Sequence, residues 1–515
     1  MIERLSRRQF NTFAVAGLAG TLASPSFLAP ARAAEGAVLR VRLQGDIGNL
    51  DPARIFQIEN QTVAGNIYNG LVKYDDASGD IIPDLAERWD VSDDAKIFTF
   101  HLRPGVLWHK GYGPFTADDV KYSVERVLDP ATSSSYRGQF EGVSVEAVDA
   151  TTARITLDKP NPRFLHRVSA YNQGWLVSRK AVTEIGHQAY ALRPIGTGPF
   201  VFEKWTPGLE VRLSANPDYF AGKPKLDGIL FRVIKDETAA SIALTNGEID
   251  VFFGMQQPEV IDKLTKTPGI RVQTRAASYV MNLVMNTKIK PLDNLQVRQA
   301  LAYAIDRNAL ISGFFRNTKL PASTALTSAF PEFTDDVMHY PFDPDKARAL
   351  LKAAGPGPYE IQLAVPAVSP FDKIVIPIAD NLSAVGFTPK IAPLERGTYL
   401  AARNKGTLMT CVTGVAGPTD ADNPLTALYA KSSFPPGLNT AHYEGAEDLF
   451  AKLRVEQDPA KRMAVYHQIQ QRTMVDLPTL PLYTVTVYVA TGPKVQGLVQ
   501  NALATLNCYS ISVGA

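Results

Sequence analysis

Seven histidines and two cysteines are the side chains of this 515-residue sequence that could bind a transition metal. No two histidines lie three or four residues apart, so no helix can place a pair on one face, and no His-Glu-x-x-His is present. Cys411 and Cys508 are too few for an all-cysteine zinc or iron–sulfur site. In an oxidising compartment they could form a disulfide instead, and their separation in sequence leaves that question open. We predict no metal site.

Motifs that bind nucleotide cofactors or activate a nucleophile are also missing from the sequence. Gly196-Thr197-Gly198 lacks a third glycine at the dinucleotide spacing, and no phosphate loop ends in Gly-Lys-Ser/Thr. No Gly-x-Ser-x-Gly turn is available to expose a serine. We therefore predict no cofactor and no enzymatic activity. The enzymatic alternative, a secreted hydrolase, would need a nucleophile–base pair that the sequence does not reveal.

The helices that would position binding residues have clear start and stop signals. In residues 115–129, Thr116 is the predicted N-cap, Asp119 completes a capping box, and one apolar face follows: Val120, Val124, Val127 and Leu128. A second helix is predicted from Asp293 as N-cap, with Gln296 three residues later and an apolar stripe of Val297, Ala300, Leu301, Ala304 and Ile305.

A third helix is predicted in residues 343–355. Asp343 caps it, Pro344 occupies the first turn and Gly355 ends it, with inward-facing Leu350, Leu351 and Ala354. Alternating apolar residues predict strands in the segments 98–102, 210–214, 228–234 and 482–490. Because helices and strands interleave from about residue 40 onward, the pattern is typical of the α/β class.

The first 33 residues have the pattern of a cleaved export signal. Ser6 to Phe10 reads SRRQF, a short apolar run follows, and Ala31-Arg32-Ala33 ends the segment as a small-x-small cleavage site. Adjacent arginines at this place indicate the twin-arginine route, although Asn11-Thr12 replaces the usual Leu-Lys. No cysteine follows the cut, so no lipid anchor is expected. We predict a soluble protein of a Gram-negative periplasm.

The charge of the mature chain excludes one class of partner. The formal charge is +2 for the whole sequence, and residues 1–33 contribute a net +3, which leaves the remainder near −1. A near-neutral chain has no general electrostatic attraction to nucleic acid, so we expect no nucleic-acid partner.

Five stretches together resemble the extracytoplasmic solute-binding proteins of family 5, the peptide-type receptors of ABC importers. They occur in the family's order and cover most of the mature chain: residues 70–130, 194–251, 285–311, 340–355 and 458–483. The resemblance implies a monomeric receptor that holds a ligand between two lobes, closes by hinge motion and delivers the ligand to membrane permease and ATPase subunits.

The resemblance also implies a domain organisation: a two-lobed periplasmic-binding-protein fold with an extra subdomain inserted in lobe one. Lobe one would combine residues 34–69, the inserted subdomain 70–185, residues 186–278 and the C-terminal return 481–515. Lobe two would span residues 279–480. Two crossovers, near Ser278–Asn282 and Leu477–Leu482, would form the hinge.

Peptide receptors of this family hold the ligand's amino terminus with an aspartate in an Asp-x-x-x-Pro loop. Here Asp420, with Pro424 four residues later, matches that loop, and Asp422 is the neighbouring candidate. A buried ammonium–carboxylate pair requires good geometry. The alternative is an ordinary polar surface loop, which Asp and Asn also favour. The tryptophan that often precedes the aspartate by three residues is replaced by Gly417.

Four further residues are candidate ligand contacts. Arg403 could bind a ligand carboxylate through two parallel hydrogen bonds, with Lys405 close by in the sequence, although both could be solvated surface charges. Tyr279, at the expected hinge, could line the cleft or pack within a strand. Trp175 and Tyr399 are further aromatic candidates.

We consider two hypotheses for the class of ligand. The first is a peptide or peptide-like amine. The second keeps the receptor but changes the cargo to a nickel chelate, opine, glutathione or oligosaccharide, which the missing tryptophan favours.

Overall fold

The structure is a computed structural model that describes residues 37–55, 57–415, 420–501 and 503–514. The predicted export signal and Gly417 lie outside the described residues. Within these ranges, no helix is both long enough and apolar enough to cross a membrane.

The strands, in chain order, have the following bounds: β1 Val38–Leu43, β2 Val72–Tyr74, β3 Ile81–Pro83, β4 Ala86–Val91, β5 Ile97–Leu102, β6 Val143–Asp149, β7 Thr152–Leu157, β8 Phe200–Thr206, β9 Glu210–Ala215, β10 Gly228–Val233, β11 Val251–Met255, β12 Arg271–Met285, β13 Glu360–Pro366, β14 Thr388–Leu394, β15 Thr410–Thr413, β16 Thr479–Thr491, β17 Val495–Gln496 and β18 Ser512–Val513.

The α-helices have the following bounds: α1 Ile58–Ala64, α2 Ala117–Leu128, α3 Arg179–Ile185, α4 His187–Tyr190, α5 Glu237–Thr245, α6 Pro258–Thr265, α7 Leu295–Ala304, α8 Arg307–Ala309, α9 Pro344–Ala354, α10 Phe371–Val385, α11 Arg396–Asn404, α12 Asp422–Tyr429, α13 Glu447–Leu453 and α14 Pro459–Asp476. Short 3₁₀ turns lie at His109–Gly111, Pro130–Thr132, Arg137–Gln139, Phe164–Arg167, Asn172–Gly174 and Lys431–Ser433, and a π-helical turn at Leu310–Phe314.

Two long antiparallel strands, β12 and β16, run through the middle of a ten-stranded sheet. The strand order is β14-β13-β15-β12-β16-β11-β1-β10-β9-β8. The pairing register of β12 with β16 shifts between Ala276 and Val280 and again between Met281 and Asn282. Because a shifted register locally interrupts the ladder and bends the strand, it marks the point where the sheet can change direction. These shifts lie at the segment predicted as the first crossover.

Separate apolar cores lie on the two sides of this strand pair. One core includes Leu39, Val41 and Phe231, from β1 and β10. The other includes Leu283, Leu363 and Leu382, from β12, β13 and α10. Each side therefore buries its own apolar surface, which is what two lobes joined by a shared pair of strands require.

A separate four-stranded sheet, in the order β4-β5-β7-β6, lies within the residues predicted as the inserted subdomain. The predicted strand 98–102 is confirmed as part of β5, with Phe98, Phe100 and Leu102 buried. Helix α2 begins after Thr116 as predicted, since the Thr116 N–H donates to Asp119 Oδ2 at 3.1 Å. The predicted strands of β9, β10 and β16 are confirmed as well.

One predicted helix start was wrong by a residue. Asn294, not Asp293, caps α7, because the Asn294 side chain accepts a hydrogen bond from the Gln296 N–H at 2.9 Å. Asp293 lies just outside the helix, and its backbone carbonyl accepts from Arg298 Nη1 at 3.2 Å. The third predicted helix is confirmed, since Asp343 accepts from the Lys346 N–H at 2.9 Å and Pro344 is the first residue of α9.

The two cysteines are not paired. Cys411 and Cys508 are both buried and free. Cys411 Sγ lies 3.3 Å from Thr440 Oγ1, whereas the Cys508 N–H donates to Asn66 Oδ1 at 2.9 Å. Burial raises the pKa of both thiols, so they remain in the uncharged form at neutral pH.

A buried ion pair joins helix α2 to the segment between β1 and α1. Arg126 of α2 donates from Nη1 to Asp51 Oδ1 at 2.8 Å and from Nη2 to Asp51 Oδ2 at 2.6 Å. The side chains are 3% and 0% exposed. Burial opposes ionisation of Asp51, but the Arg126 hydrogen bonds and charge outweigh it and lower the pKa of that carboxyl.

We expect Asp51→Asn to lower the free energy of unfolding by about 3 kcal/mol or more, because it leaves the Arg126 charge buried without its partner. Urea unfolding at pH 7 measures this loss. The matched control is Asp90→Asn, whose ion pair with Arg88 is well exposed and whose removal should change little. Equal losses in the free energy of unfolding for the two variants would contradict the conclusion that the buried pair of Asp51 and Arg126 stabilises the fold. The pKa of Asp51 is lower in the folded state than in the unfolded chain. Asp51 therefore contributes to the free energy of unfolding at neutral pH, and this contribution is lost on acidification below about pH 4.

Candidate ligand-binding site

A cavity of about 1010 Å³ lies between residues assigned to the two predicted lobes. We call it the main cavity. The lobe-one side contributes Gln44, Thr62, Arg163, Tyr171 and Met255, the lobe-two side contributes Asp420, Asp422, Asn423, Thr426 and Phe450, and the shared strands contribute Ser278, Tyr279, Thr486 and Val487. Its size and its mixture of aromatic and polar lining residues suit a small organic ligand.

An arginine from one side of the main cavity is bonded to two carboxylates from the other. Arg163 donates to Asp420 Oδ1 from both Nε (3.0 Å) and Nη2 (2.7 Å), and to Glu332 Oε1 from Nη1 at 3.1 Å. The side chains of Arg163, Asp420 and Glu332 are 19%, 14% and 7% exposed. Because water is largely excluded, each of these charges depends on the others for stabilisation.

Asp420 uses only one of its oxygens in these contacts. The N–H of Asp422 also donates to Asp420 Oδ1, at 3.1 Å. No described residue donates a hydrogen bond to Oδ2, although the side chain lines the cavity. A carboxylate can accept about four hydrogen bonds through its two oxygens, so Asp420 has acceptor capacity left for a ligand.

Helix α14 positions the lobe-two carboxylates through three side chains at four-residue spacing. Arg462 Nη2 donates to Asp422 Oδ2 at 3.2 Å, and the Tyr466 hydroxyl donates to Asp422 Oδ1 at 2.9 Å. One turn later, Gln470 Nε2 donates to the backbone carbonyl of Glu332 at 2.7 Å. Residues spaced i, i+4 and i+8 lie along one face of a helix, so α14 presents a polar stripe beneath the site.

The opposing side chains lie at a short turn, Phe164–Arg167. Arg163 immediately precedes the 3₁₀ turn Phe164–Arg167, which also carries His166. His166 Nδ1 lies 2.9 Å from the Tyr74 hydroxyl. Arg167 lines the cavity and donates from Nη1 to the Gln139 carbonyl. One turn therefore supplies several basic side chains to the main cavity.

The ionisation of these groups follows from burial and from their pairing. Burial opposes the charged form of Asp420, but its interactions with His166 and Arg163, including the Arg163 hydrogen bonds, outweigh burial and hold the pKa of Asp420 below its usual value. Burial raises the pKa of Asp422, and the charge of Asp420 adds to that rise, against Arg163 and Arg462. Burial also raises the pKa of Glu332, with Arg163 acting in the opposite direction.

Burial lowers the pKa of His166 to about 4, although the charge of Asp420 works the other way. This histidine is therefore neutral at physiological pH.

The structure brings three of the residues singled out in the sequence to the main cavity: Asp420, Asp422 and Tyr279. Trp175 instead lines a smaller neighbouring pocket of about 90 Å³, where it packs against Tyr68 and Tyr171 with ring centroids 6.3 and 6.2 Å apart.

Two other predicted contacts lie away from the lining of the main cavity. The Tyr399 hydroxyl donates to the Val412 carbonyl at 2.7 Å within the core of lobe two. Arg403 is bonded to Asn404 Oδ1, and Lys405 is exposed. Ligand contacts by Tyr399 and Arg403 stay predictions. The cations that do line the cavity are Arg163, Arg167, Lys319 and Arg454.

Arg163, Glu332 and the polar face of α14 were not among the site residues predicted from the sequence. A usable signal existed for the helix: Arg462, Tyr466 and Gln470 recur at four-residue spacing on a buried face that also carries Val465, Ile469 and Met474. Arg163 and Glu332 lie in irregular segments, where no periodicity distinguishes a buried charge from a solvated one.

Comparisons with known proteins assign the class of this molecule, a bacterial extracellular binding protein of the two-lobed type. Residues 80–435 match the family described as "Bacterial extracellular solute-binding proteins, family 5 Middle". The chain belongs to this family, whose members are transport receptors and are generally extracytoplasmic.

Similar proteins bear different ligand names. The chain is 30% identical over 478 residues to the Dipeptide-binding protein of Escherichia coli (strain K12), covering 87% of this chain and 89% of that protein. It is also 30% identical over 484 residues to Heme-binding protein A of Haemophilus influenzae, covering 87% of each. The solved structure of HbpA2 from Haemophilus parasuis superposes with a TM-score of 0.87 at 27% identity, covering 93% of this chain and all of that one.

We expect His166 to stay neutral from pH 8 down to about pH 5 and to titrate with a midpoint near 4, because its burial disfavours the imidazolium. Histidine NMR titration measures this, with His166→Gln to assign the resonance. Between about pH 6.5 and 4, His166 binds a proton in the unfolded chain but not in the folded protein. The free energy of unfolding therefore decreases as the pH falls through this range. A midpoint near 6.5 would contradict the burial argument.

Proposed function

We propose that this chain is the substrate-binding component of an ABC importer, and that it holds peptides or peptide-like amines in the main cavity. The observation that carries the proposal is Asp420: a buried carboxylate on the cavity lining, kept ionised by Arg163, with one oxygen that accepts no hydrogen bond from a described residue. A ligand ammonium at that oxygen would make a charge-assisted hydrogen bond. Similarity to a dipeptide-binding protein supports this ligand class.

Other cavity residues fit the remaining parts of such a ligand. Lys319 and Arg167 line the cavity, and no salt bridge joins either to a carboxylate of the described residues. Burial lowers the pKa of both, so a ligand carboxylate would stabilise their charged forms. Tyr279 and Asp422 complete the proposed contacts. The rest of the binding energy would come from hydrogen bonds to the peptide main chain, which leave side-chain selectivity loose.

Closure around the ligand would be the working step. Contacts between the predicted lobes include Arg163 with Asp420 and Glu332, and Arg316 with Glu259 at 3.0 Å. A ligand that touches both sides gains those contacts only in the closed form, so binding shifts the hinge equilibrium. Moving that equilibrium from 1:99 to 99:1 takes about 5.5 kcal/mol of differential affinity. The closed monomer would then dock on the permease without making or breaking a covalent bond.

A non-peptide cargo is the second candidate, and one observation favours it. Arg163 already neutralises much of the charge of Asp420, which weakens the attraction for a ligand ammonium. Similarity to a protein named for haem binding shows that relatives of this chain differ in ligand. A nickel chelate, opine, glutathione or oligosaccharide belongs to the same alternative.

We also propose export through the twin-arginine machinery, with cleavage after Ala33, into the periplasm of a Gram-negative bacterium. Replacing Arg7 and Arg8 by lysine should leave the uncleaved precursor in the cytoplasm, because the route depends on the arginine pair. Cell fractionation with intact-mass measurement tests this: the wild type should yield a periplasmic chain that begins at Ala34. Arg4→Lys is the matched control. Equal export of the double variant would contradict the route.

We expect Asp420→Asn to weaken binding of dipeptides with free amino termini by at least about 30-fold, since truncating one partner of a buried charge pair costs about 2 kcal/mol or more. Isothermal titration calorimetry of the mature protein with an equimolar dipeptide pool measures the change. The control is Asp262→Asn, an exposed carboxylate paired with Lys266. Unchanged affinity in the Asp420 variant would contradict the amine anchor.

A further inference from the structure

Asp420 belongs to a set of paired side chains that contains three carboxylates and two cations. Arg163 is bonded to Asp420 and Glu332, and Arg462 is bonded to Asp422. We call these five residues the charge cluster. If its three carboxylates are ionised, the charge cluster carries a net −1, and one further cation would neutralise it.

Glu332 supplies the extra negative charge without reaching the ligand space. The residue is 5% exposed and does not line the main cavity, and its Oε2 is buried without a hydrogen-bond partner among the described residues. Its Oε1 accepts from Arg163 at 3.1 Å. A buried carboxylate oxygen left without a donor is costly, so its presence calls for a compensating role.

That role follows from the pairing of Arg163 with two carboxylates, Asp420 and Glu332. With Asp420 as its sole carboxylate partner, the guanidinium would cancel the charge that a ligand ammonium needs. With Glu332 bonded to the same guanidinium, the cation is shared between two carboxylates. Asp420 then keeps part of its attraction for a second cation while Arg163 still fixes its orientation.

We propose that Glu332 is a specificity-determining residue that selects ligands carrying one positively charged amine. Its carboxylate pairs with Arg163, so that Arg163 neutralises less of the charge of Asp420 and Asp420 can bind the amine. This inference rests on the proposed function, because it concerns how Asp420 recognises its ligand. Glu332 acts through Arg163 and is a positioning residue with no ligand contact of its own.

Among the described residues, no cation besides Arg163 and Arg462 forms a salt bridge with a carboxylate of the charge cluster. His166 is neutral at physiological pH, and the Tyr74 hydroxyl that contacts it remains protonated. Tyr466, which donates to Asp422, is likewise protonated because burial raises its pKa. Arg167 and Asp420 attract each other through space, but among the described residues the Arg167 guanidinium donates to the Gln139 carbonyl and forms no salt bridge with a carboxylate of the charge cluster. Arg454, which also lines the cavity, is paired with Glu447.

The test compares two ligand pools on the mature protein: an equimolar pool of dipeptides with free amino termini, and the same pool after N-acetylation. Calorimetric affinities are measured for wild type, Glu332→Gln, Glu332→Asp and the control Glu444→Gln, which alters an exposed carboxylate paired with Lys288 and Lys431. Circular dichroism confirms that each variant is folded. The informative quantity is the ratio of the two affinities, which a general loss of stability does not change.

We expect wild type and Glu444→Gln to bind the free-amine pool more tightly than the acetylated pool. In Glu332→Gln the ratio of the two affinities should fall about tenfold, as expected when one charge is removed close to a partly buried cation. The affinity of Glu332→Gln for the acetylated pool should equal that of the wild type. Glu332→Asp should retain most of the preference because it keeps the charge. A Glu332→Gln variant with the wild-type preference would overturn this inference and leave the proposed function standing. A wild type that binds neither pool, or binds both equally, would overturn the proposed amine ligand and this inference with it.

Discussion

The buried guanidinium of Arg163 is the constraint on which the candidate site depends. It carries a full charge in a largely dry environment, and its two carboxylate partners come from the opposite side of the main cavity. A buried ion of this kind is tolerated only when it is paired and hydrogen-bonded, so the contact with Asp420 and Glu332 stabilises Arg163 while the two sides of the cavity are together. The same contact sets the ionisation of Asp420 and limits which of its oxygens a ligand can use.

The rest of the fold explains how these groups meet. Strands β12 and β16 join two independently packed cores, and their register shifts lie where the chain passes between them. Helix α14 then holds Asp422 and the backbone of Glu332 through side chains on one face, while Arg163 lies immediately before the 3₁₀ turn Phe164–Arg167. The site is thus assembled from segments that are distant in sequence.

Much of the scaffold was predictable from the sequence because its signals are local. The capping box at Thr116 and the start of α9 at Asp343 each depend on residues within one helical turn, and both predictions are confirmed. The α7 cap was misplaced because Asp293 and Asn294 are both good N-caps and only backbone geometry separates them. Residues Asp420 and Asp422 were singled out through a family resemblance, and both lie on the cavity lining.

The charge cluster was not predictable in the same way. Arg163 and Asp420 are 257 residues apart, and no periodicity or spacing connects them. Proximity in sequence also suggested Arg403 and Lys405 as partners of a ligand carboxylate, whereas the fold brings Lys319 and Arg167 to the cavity. Long-range charge pairing is decided by tertiary packing, so neither local propensity nor proximity along the chain identifies it.

Native mass spectrometry of the mature protein, purified from a bacterial periplasm without added ligand, would show whether the main cavity binds peptides. We expect a spread of bound peptide masses, released on collisional activation and each carrying a free amino terminus. A single bound mass of non-peptide composition would contradict it and would favour the alternative cargo.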